Sequence, residues 1–215
     1  MVSFGDLIRL QKSLPRECPI RLIPFVNDPL AFVGEEGLDE KVETLKGMVQ
    51  RCSGEDASTR EVIDKINENL GLIHEAEIRL SELKKEAEGI FEGYECTANS
   101  ALYQTEKDIS NTLWVEAFKQ IDGIELVFQL HTSLDLKVVW ARVSVLVGKP
   151  NETVVKLLKI HDGKGWRYSE LTGPENRCYL LEKIISTRDT VKEVMGEGLG
   201  VMNGINEGLG KKHVR

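Results

Sequence analysis

Apolar residues recur at alternating steps of four and three along residues 62–94, and no proline interrupts them. This spacing puts one narrow apolar stripe on a long helix, as in a coiled coil or a long helical hairpin. A helix cannot bury such a stripe alone, so the pattern predicts a partner helix in the same chain or in a second chain. The 4-3 stripe consists of Val62, Ile66, Asn69, Ile73, Ala76, Leu80, Leu83, Ala87, Ile90 and Tyr94.

A shorter helix is predicted over residues 37–52, followed by a break at residues 53–56. The two helices could pack as an antiparallel hairpin or continue in one direction, and the pattern leaves both open. Asn69 either sets register and oligomer state within the stripe or faces a solvated end. Gly89 and Gly93 predict that the long helix weakens near its end. The apolar side of the shorter helix consists of Leu38, Val42, Leu45 and Val49.

The first residues predict a short amphipathic helix over residues 3–14, capped by Ser3 and ended by Pro15. An apolar segment with closely spaced prolines follows it. These prolines argue against a regular helix and predict an extended arm, packed on this chain's own core or on a partner. They are Pro15, Pro19, Pro24 and Pro29.

Beyond Cys96 the period changes, and a helical stripe over residues 102–121 predicts a helix that stops at Gly123. Alternation then predicts strands over residues 124–130 and 139–147, and Val-rich and Trp-containing runs predict two more over 153–160 and 166–171. The short turns between them predict a four-strand antiparallel meander. A last helix is predicted from residue 174 to 195, with Thr190 as a cap inside it.

These elements predict an α+β fold, with a long helical or coiled-coil region followed by a small antiparallel sheet that helices flank. The chain divides into an N-terminal helix and Pro-rich arm (1–36), a helical hairpin or coiled coil (37–95) and an α+β domain (98–195). Residues 196–215 contain six glycines, and Glu-Gly-Leu-Gly occurs there twice. This density of glycine predicts a flexible tail.

The net charge of −7 comes entirely from residues 38–95, which hold 15 acidic and 8 basic residues. Such a surface repels phosphates, so direct contact with nucleic acid is not expected. The four cysteines lie far apart and predict reduced thiols and no zinc site. With neither a signal-peptide core nor a membrane-spanning run, we expect an intracellular protein of the nucleus or cytoplasm that does not bind membranes.

Candidate chemistry is sparse. The histidines lack the spacing of a metalloprotease helix, and no G-x-S-x-G motif is present. We therefore predict no enzyme activity, no metal and no cofactor. The alternative is a ligand-binding or enzymatic α+β domain, with the helices as a cover and with His131 or His161 in a closed pocket beside a cysteine or an acid.

Interaction surfaces are the stronger prediction. Trp140 lies on a mixed polar and apolar strand face, which makes that face a candidate recognition surface. The predicted interaction residues are Val62, Ile66, Asn69, Ile73, Leu80, Leu83 and Ile90 on the 4-3 stripe, and Val138, Trp140 and Arg142 on the strand.

The order of these parts resembles the RWD-type proteins of the kinetochore. The resemblance rests on the 4-3 stripe, on residues 118–126 (FKQIDGIEL), on the strands up to Ile160 and on residues 185–190 (ISTRDT). It implies a non-catalytic adaptor subunit of a multiprotein complex. Such a subunit would form a homo- or heterodimer through its coiled coil and would dock other subunits on its RWD domain.

Overall fold

A computed structural model describes residues 3–53, 56–104, 109–173 and 177–210. The chain divides into two compact units, residues 1–79 and 80–215, and one long helix contributes to both. The first unit is helical, and the second is built on an antiparallel sheet. The predicted α+β class is therefore confirmed.

The first unit contains helices α1 (Phe4–Ser13), α2 (Leu22–Asn27), α3 (Leu38–Ser53) and most of α4 (Ala57–Ile90), with a 3-10 turn at Pro29–Phe32. The predicted helix after Ser3 is confirmed, since the Ser3 hydroxyl accepts the Asp6 N–H at 3.1 Å as an N-cap. The predicted helix over residues 37–52 is α3.

The Pro-rich arm is not extended, because α2 and the 3-10 turn lie within it. Pro24 lies in the first turn of α2, where backbone N–H groups have no partner inside the helix. Because proline lacks only this N–H, no helical hydrogen bond is lost there. Side chains of this segment share one hydrophobic core with α3 and α4. The arm thus packs on its own chain. The core includes Leu7, Leu10, Leu22, Phe25, Val42, Leu45, Val62, Ile66 and Ile73.

Asn69 is the one polar residue of the 4-3 stripe, and it is only 1 % exposed. Its side-chain amide donates hydrogen bonds to the backbone oxygens of Phe25 and Val26, at 2.9 and 3.0 Å. Both carbonyls lie near the end of α2, where helix carbonyls lack partners of their own. Asn69 therefore fixes α2 onto α4.

The second unit carries a six-stranded sheet in the order β1-β2-β3-β4-β6-β5, and every neighbouring pair is antiparallel. Helix α5 connects β4 to β5, and α6 follows β6. The bounds are β1 Glu95–Gln104, β2 Ile109–Ile121, β3 Ile124–Thr132, β4 Val138–Val147, α5 Glu152–Lys159, β5 Trp166–Thr172, β6 Arg177–Lys183 and α6 Val191–Gly210.

The helix predicted over residues 102–121 is wrong, because the described residues of this stretch belong to β1 and β2. Leu113, Ala117 and Ile121 are four residues apart, and a step of four fits both a helical stripe and a strand face. The Asp122–Gly123 pair decides between them. Both residues have positive φ, 50° and 76°, and form the two-residue turn of a tight β2–β3 hairpin.

Three further predictions differ from the structure. Residues 153–159 belong to α5 and not to a strand, since the Asn151 side chain caps this helix by accepting the N–H groups of Thr153 and Val154. The predicted four-strand meander is therefore wrong in its third element. Residues 177–183 form β6 and not a helix. The glycine-rich segment is helical as far as Gly210, and its remaining residues lie outside the described part of the chain.

Helix α6 covers one face of the sheet, which we call the inner face. Phe128 lies at its centre on β3, and the Phe91 ring stacks on it with centroids 5.0 Å apart. On α6, a Cβ added to Gly198 would come within 2.4 Å of the Phe128 ring, so α6 approaches β3 closely only because this residue has no side chain. Gly208 has the same relation to Leu157 on α5, at 2.5 Å.

We predict that Asn69→Ala loosens α2, because two buried carbonyls lose their donor. Such a loss costs about 1–3 kcal/mol. Hydrogen exchange of the α2 amides should accelerate. Asn67→Ala is the control, since Asn67 is exposed on the same helix and carries the same change in helix propensity. Equal exchange in the two variants would contradict this role of Asn69.

We predict opposite effects for two glycine substitutions in α6. Gly198→Ala drives a methyl group into the fully buried Phe128 ring, and such overpacking costs about 1–3 kcal/mol. At Gly204 a Cβ meets nothing within 4 Å, so Gly204→Ala should stabilise the protein by up to about 1 kcal/mol through helix propensity. Urea unfolding measures both, and a shared sign would refute the close approach of α6 to β3.

Candidate functional site

The candidate site lies on the outer face of the sheet, which is opposite to Phe128. Side chains alternate along each strand, so residues in register across the sheet form rows on this face. An aromatic row consists of Trp114, His131 and Trp140. A polar row consists of Glu116, Gln129, Arg142, Glu182 and Arg167. A third row consists of Phe118, Val127, Ser144 and Leu180, and the last two are buried.

The aromatic row is a continuous set of ring contacts. The rings of Trp114 and His131 stack with centroids 5.9 Å apart and an interplanar angle of 24°. His131 meets Trp140 edge-on at 5.2 Å, and the Arg142 guanidinium lies 4.6 Å from the Trp140 centroid. All four side chains are half-buried. Each ring is therefore held by its neighbours while part of its surface faces solvent.

The polar row holds Arg142 in place. The Gln129 carbonyl oxygen accepts from Arg142 Nη2 at 2.5 Å, and the Gln129 amide donates to the Glu116 carboxylate at 2.7 Å. The amide thus links an acid on β2 to a base on β4. Glu116 holds the Gln129 amide, and the amide in turn holds the Arg142 guanidinium, which therefore keeps its position over Trp140.

The β3–β4 hairpin beside the aromatic row departs from regular geometry. His131 pairs with Trp140 while Thr132 pairs with Val138, so Val139 is the extra residue of a β-bulge. At the tip of this hairpin Leu136 has φ 59°, in the left-handed region that bulky residues avoid. Bulges and strained residues concentrate beside functional sites, so both features favour this end of the sheet as a site.

His131 is an electrostatically perturbed group. Burial lowers its pKa below the ordinary 6.5, and the nearby Arg142 charge lowers it further. Its Nδ1 lies 3.2 Å from the Thr112 hydroxyl. The imidazole is therefore neutral at pH 7, and it serves as a flat ring between two indoles.

The candidate catalytic groups of the second unit are weakly suited to catalysis. Thr112 is 1 % exposed, so a substrate cannot reach its hydroxyl. Burial raises the pKa of the Cys178 and Cys96 thiols, which keeps them protonated and poorly nucleophilic. Burial, followed by the Lys164 charge, lowers the pKa of His161, which lies between α5 and β5. Among the described residues, no group of three or more His, Cys, Asp or Glu could hold a metal ion.

The predicted interaction residues fall into two groups. Trp140 and Arg142 lie together on the outer face, half-buried, whereas Val138, also half-buried, pairs beyond the bulge with Thr132, a residue of the inner face. The α4 residues Val62, Ile66, Asn69, Ile73, Leu80 and Leu83 are buried within this single chain, and Ile90 is half-buried. Pairing with a second chain through the 4-3 stripe would require the segments that cover it to move.

Sequence reasoning missed Trp114 and Gln129 as members of the site, and it named His131 only for the alternative of a closed ligand-binding or catalytic pocket. Trp114 was assigned to a helix, which separated it from the strands. The Asp122–Gly123 turn held the missing signal, because a two-residue hairpin loop fixes the register of its strands. That register places Trp114 opposite His131 and Glu116 opposite Gln129.

Compared with protein-family models, curated proteins and solved structures, the chain matches none of them significantly. Among the described residues, no helix combines the length and the apolar character that crossing a membrane requires.

We predict that Arg142→Gln raises the pKa of His131 toward 6.5 without reaching it, because burial, the larger cause, remains. Arg167→Gln is the control, because Arg167 lies on the same face of the sheet, two strands away from Arg142. It should leave the pKa of His131 unchanged. An NMR titration of the imidazole protons measures the midpoint, with His131→Gln used for assignment.

The sign for stability follows from the same shift. In the unfolded chain His131 binds a proton near pH 6.5, whereas in the folded protein it does so only at lower pH. Its contribution to the free energy of unfolding is therefore complete above pH 6.5 and is lost as the pH falls through the folded-state pKa. A wild-type midpoint at or above 6.5 would overturn this account.

Proposed function

We propose that this chain is a non-enzymatic adaptor subunit of a multiprotein complex, and that it docks a partner protein on the outer face of its sheet. One observation carries the proposal: two tryptophans and an arginine are held half-buried in a single cluster, formed by Trp114, His131, Trp140 and Arg142. A few residues supply most of the binding energy at protein interfaces, and they are enriched in tryptophan, tyrosine and arginine.

The preorganisation of this cluster supports docking. Each ring contacts the next, and Gln129 holds the guanidinium, so few side-chain rotamers remain to be lost when a partner binds. Immobilising a flexible side chain at an interface costs about 0.5–1.5 kcal/mol, and a fixed cluster avoids part of that cost. Phe118 and Val127, the half-buried members of the third row, would extend the contact, with the polar row between them and the cluster.

The resemblance to RWD-type kinetochore proteins supports the same role, because those proteins use their α+β domain as a docking platform. An RWD-like character, a place at the kinetochore and a nuclear or cytoplasmic location belong to this proposal. Dimerisation through the 4-3 stripe stays a prediction. We assign partner recognition to the sheet because the chain's own residues bury most of that stripe.

The experiment compares three full-length chains in their native cells by cross-linking, affinity purification and mass spectrometry. The outer-face variant carries Trp140→Ala and Arg142→Ala. The control variant carries Ile160→Ala and Lys164→Ala, which likewise removes one large apolar and one basic side chain from the surface. Circular dichroism confirms that each variant is folded.

We expect at least one protein that the wild type and the control retain and that the outer-face variant loses. Titration calorimetry with that purified protein should show a loss of affinity of about 30-fold or more, because hot-spot truncations cost about 2 kcal/mol or more. Retention of every captured protein by the outer-face variant would refute the proposal.

A further inference from the structure

A groove in the first unit is separate from the outer face of the sheet. It has a volume of about 630 Å³ and lies where α1, the end of α2 and the first half of α4 meet. That volume is in the range of ligand-binding sites in proteins. The groove is lined by Leu7, Val26, Asn27, Glu61, Asp64, Lys65 and Glu68.

The apolar part of the groove comes from Leu7 on α1 and Val26 on α2. Both belong to the core and expose only a remnant of surface, 4 % and 9 %. Phe4 lies one turn before Leu7 on the same side of α1 and is 62 % exposed. An apolar strip therefore continues from the groove onto an exposed aromatic ring.

The opposite wall is acidic. Glu61, Asp64 and Glu68 follow one another at steps of three and four, so they lie on one face of α4. All three are exposed. Among the described lining residues, acids outnumber bases by three to one, and the base, Lys65, pairs with the Glu68 carboxylate at 2.8 Å. The described lining is therefore acidic.

We infer that this groove docks a basic amphipathic helix of a partner protein. Apolar residues of that helix would pack on Leu7, Val26 and Phe4, and its Lys or Arg residues would face the acidic wall. The charge complementarity selects this occupant, because nucleic acid, anionic membranes and acidic helices would be repelled by the same carboxylates. The inference is independent of the outer face of the sheet, so either surface can fail its test without the other.

The test measures fluorescence anisotropy of a labelled peptide with the full chain. The probe is a helix of about 18 residues, or five turns, with leucine on one face and lysine on the other. In the control peptide, glutamate replaces every lysine. We expect saturable binding of the lysine peptide with a gain in helicity, weaker binding at higher salt and no binding of the glutamate peptide.

Two triple variants separate the groove from net charge. The groove variant carries Glu61→Gln, Asp64→Asn and Glu68→Gln. The control variant carries Glu17→Gln, Glu36→Gln and Glu75→Gln, exposed residues of the same unit outside the lining. Because each exposed ion pair contributes modestly, the groove variant should bind the lysine peptide about tenfold more weakly, and the control should change by less than about twofold.

Phe4→Ser tests the apolar strip at an exposed position and should also weaken binding of the lysine peptide. The inference is overturned if the lysine peptide shows no saturable binding, if the glutamate peptide binds equally well, or if the two triple variants lose affinity equally. The last result would show that attraction depends on net charge and not on the groove.

Discussion

The second unit depends on how closely a helix can approach one phenylalanine. Phe128 lies under α6, and Phe91, just beyond α4, stacks on its ring. A sheet with one apolar face must cover that face, and α6 does so with glycine at the point of contact. Once the inner face is sealed in this way, residues of the opposite face are available for recognition. The Trp114–His131–Trp140 row follows from this division of the sheet into two faces.

The first unit uses a different device, a buried polar residue. Apolar packing between helices tolerates sliding. Asn69 instead donates to two specific carbonyls, and both bonds form in only one position of α2. A polar residue in an apolar stripe often fixes the register between chains in a coiled coil. Here it fixes a short helix of the same chain. As far as Ile73, the 4-3 stripe is thus buried in one core with the segments that precede it.

Much of the fold could be predicted from the sequence where pattern and local signals agree. The helices α1 and α3 follow from apolar spacing, and the Thr190–Glu193 capping box that opens α6 is present, with the Glu193 N–H donated to the Thr190 hydroxyl. In β3, buried and half-buried residues alternate as the sequence predicts. In each of these cases the signal lies within the element's own residues.

The rest depends on contacts that a single stretch does not contain. The glycines of α6 oppose a helix by propensity, and burial of Val201, Met202 and Ile205 overrides them. The site shows the same limit. Trp140 and Arg142 were found from one strand, whereas Trp114 and His131 required the register between strands. The role of Asn69 could likewise be assigned only once the position of α2 was known.

The composition of α6 also affects how such a chain is divided for study. A boundary drawn by glycine content would fall after Met195 and would discard the residues that cover Phe128. The shortened protein would expose an apolar sheet face, and exposed faces of this kind promote aggregation. Insolubility of that fragment would then reflect a missing helix and not an unstable fold. Low-complexity composition is therefore a poor guide to trimming wherever glycine serves as a contact residue.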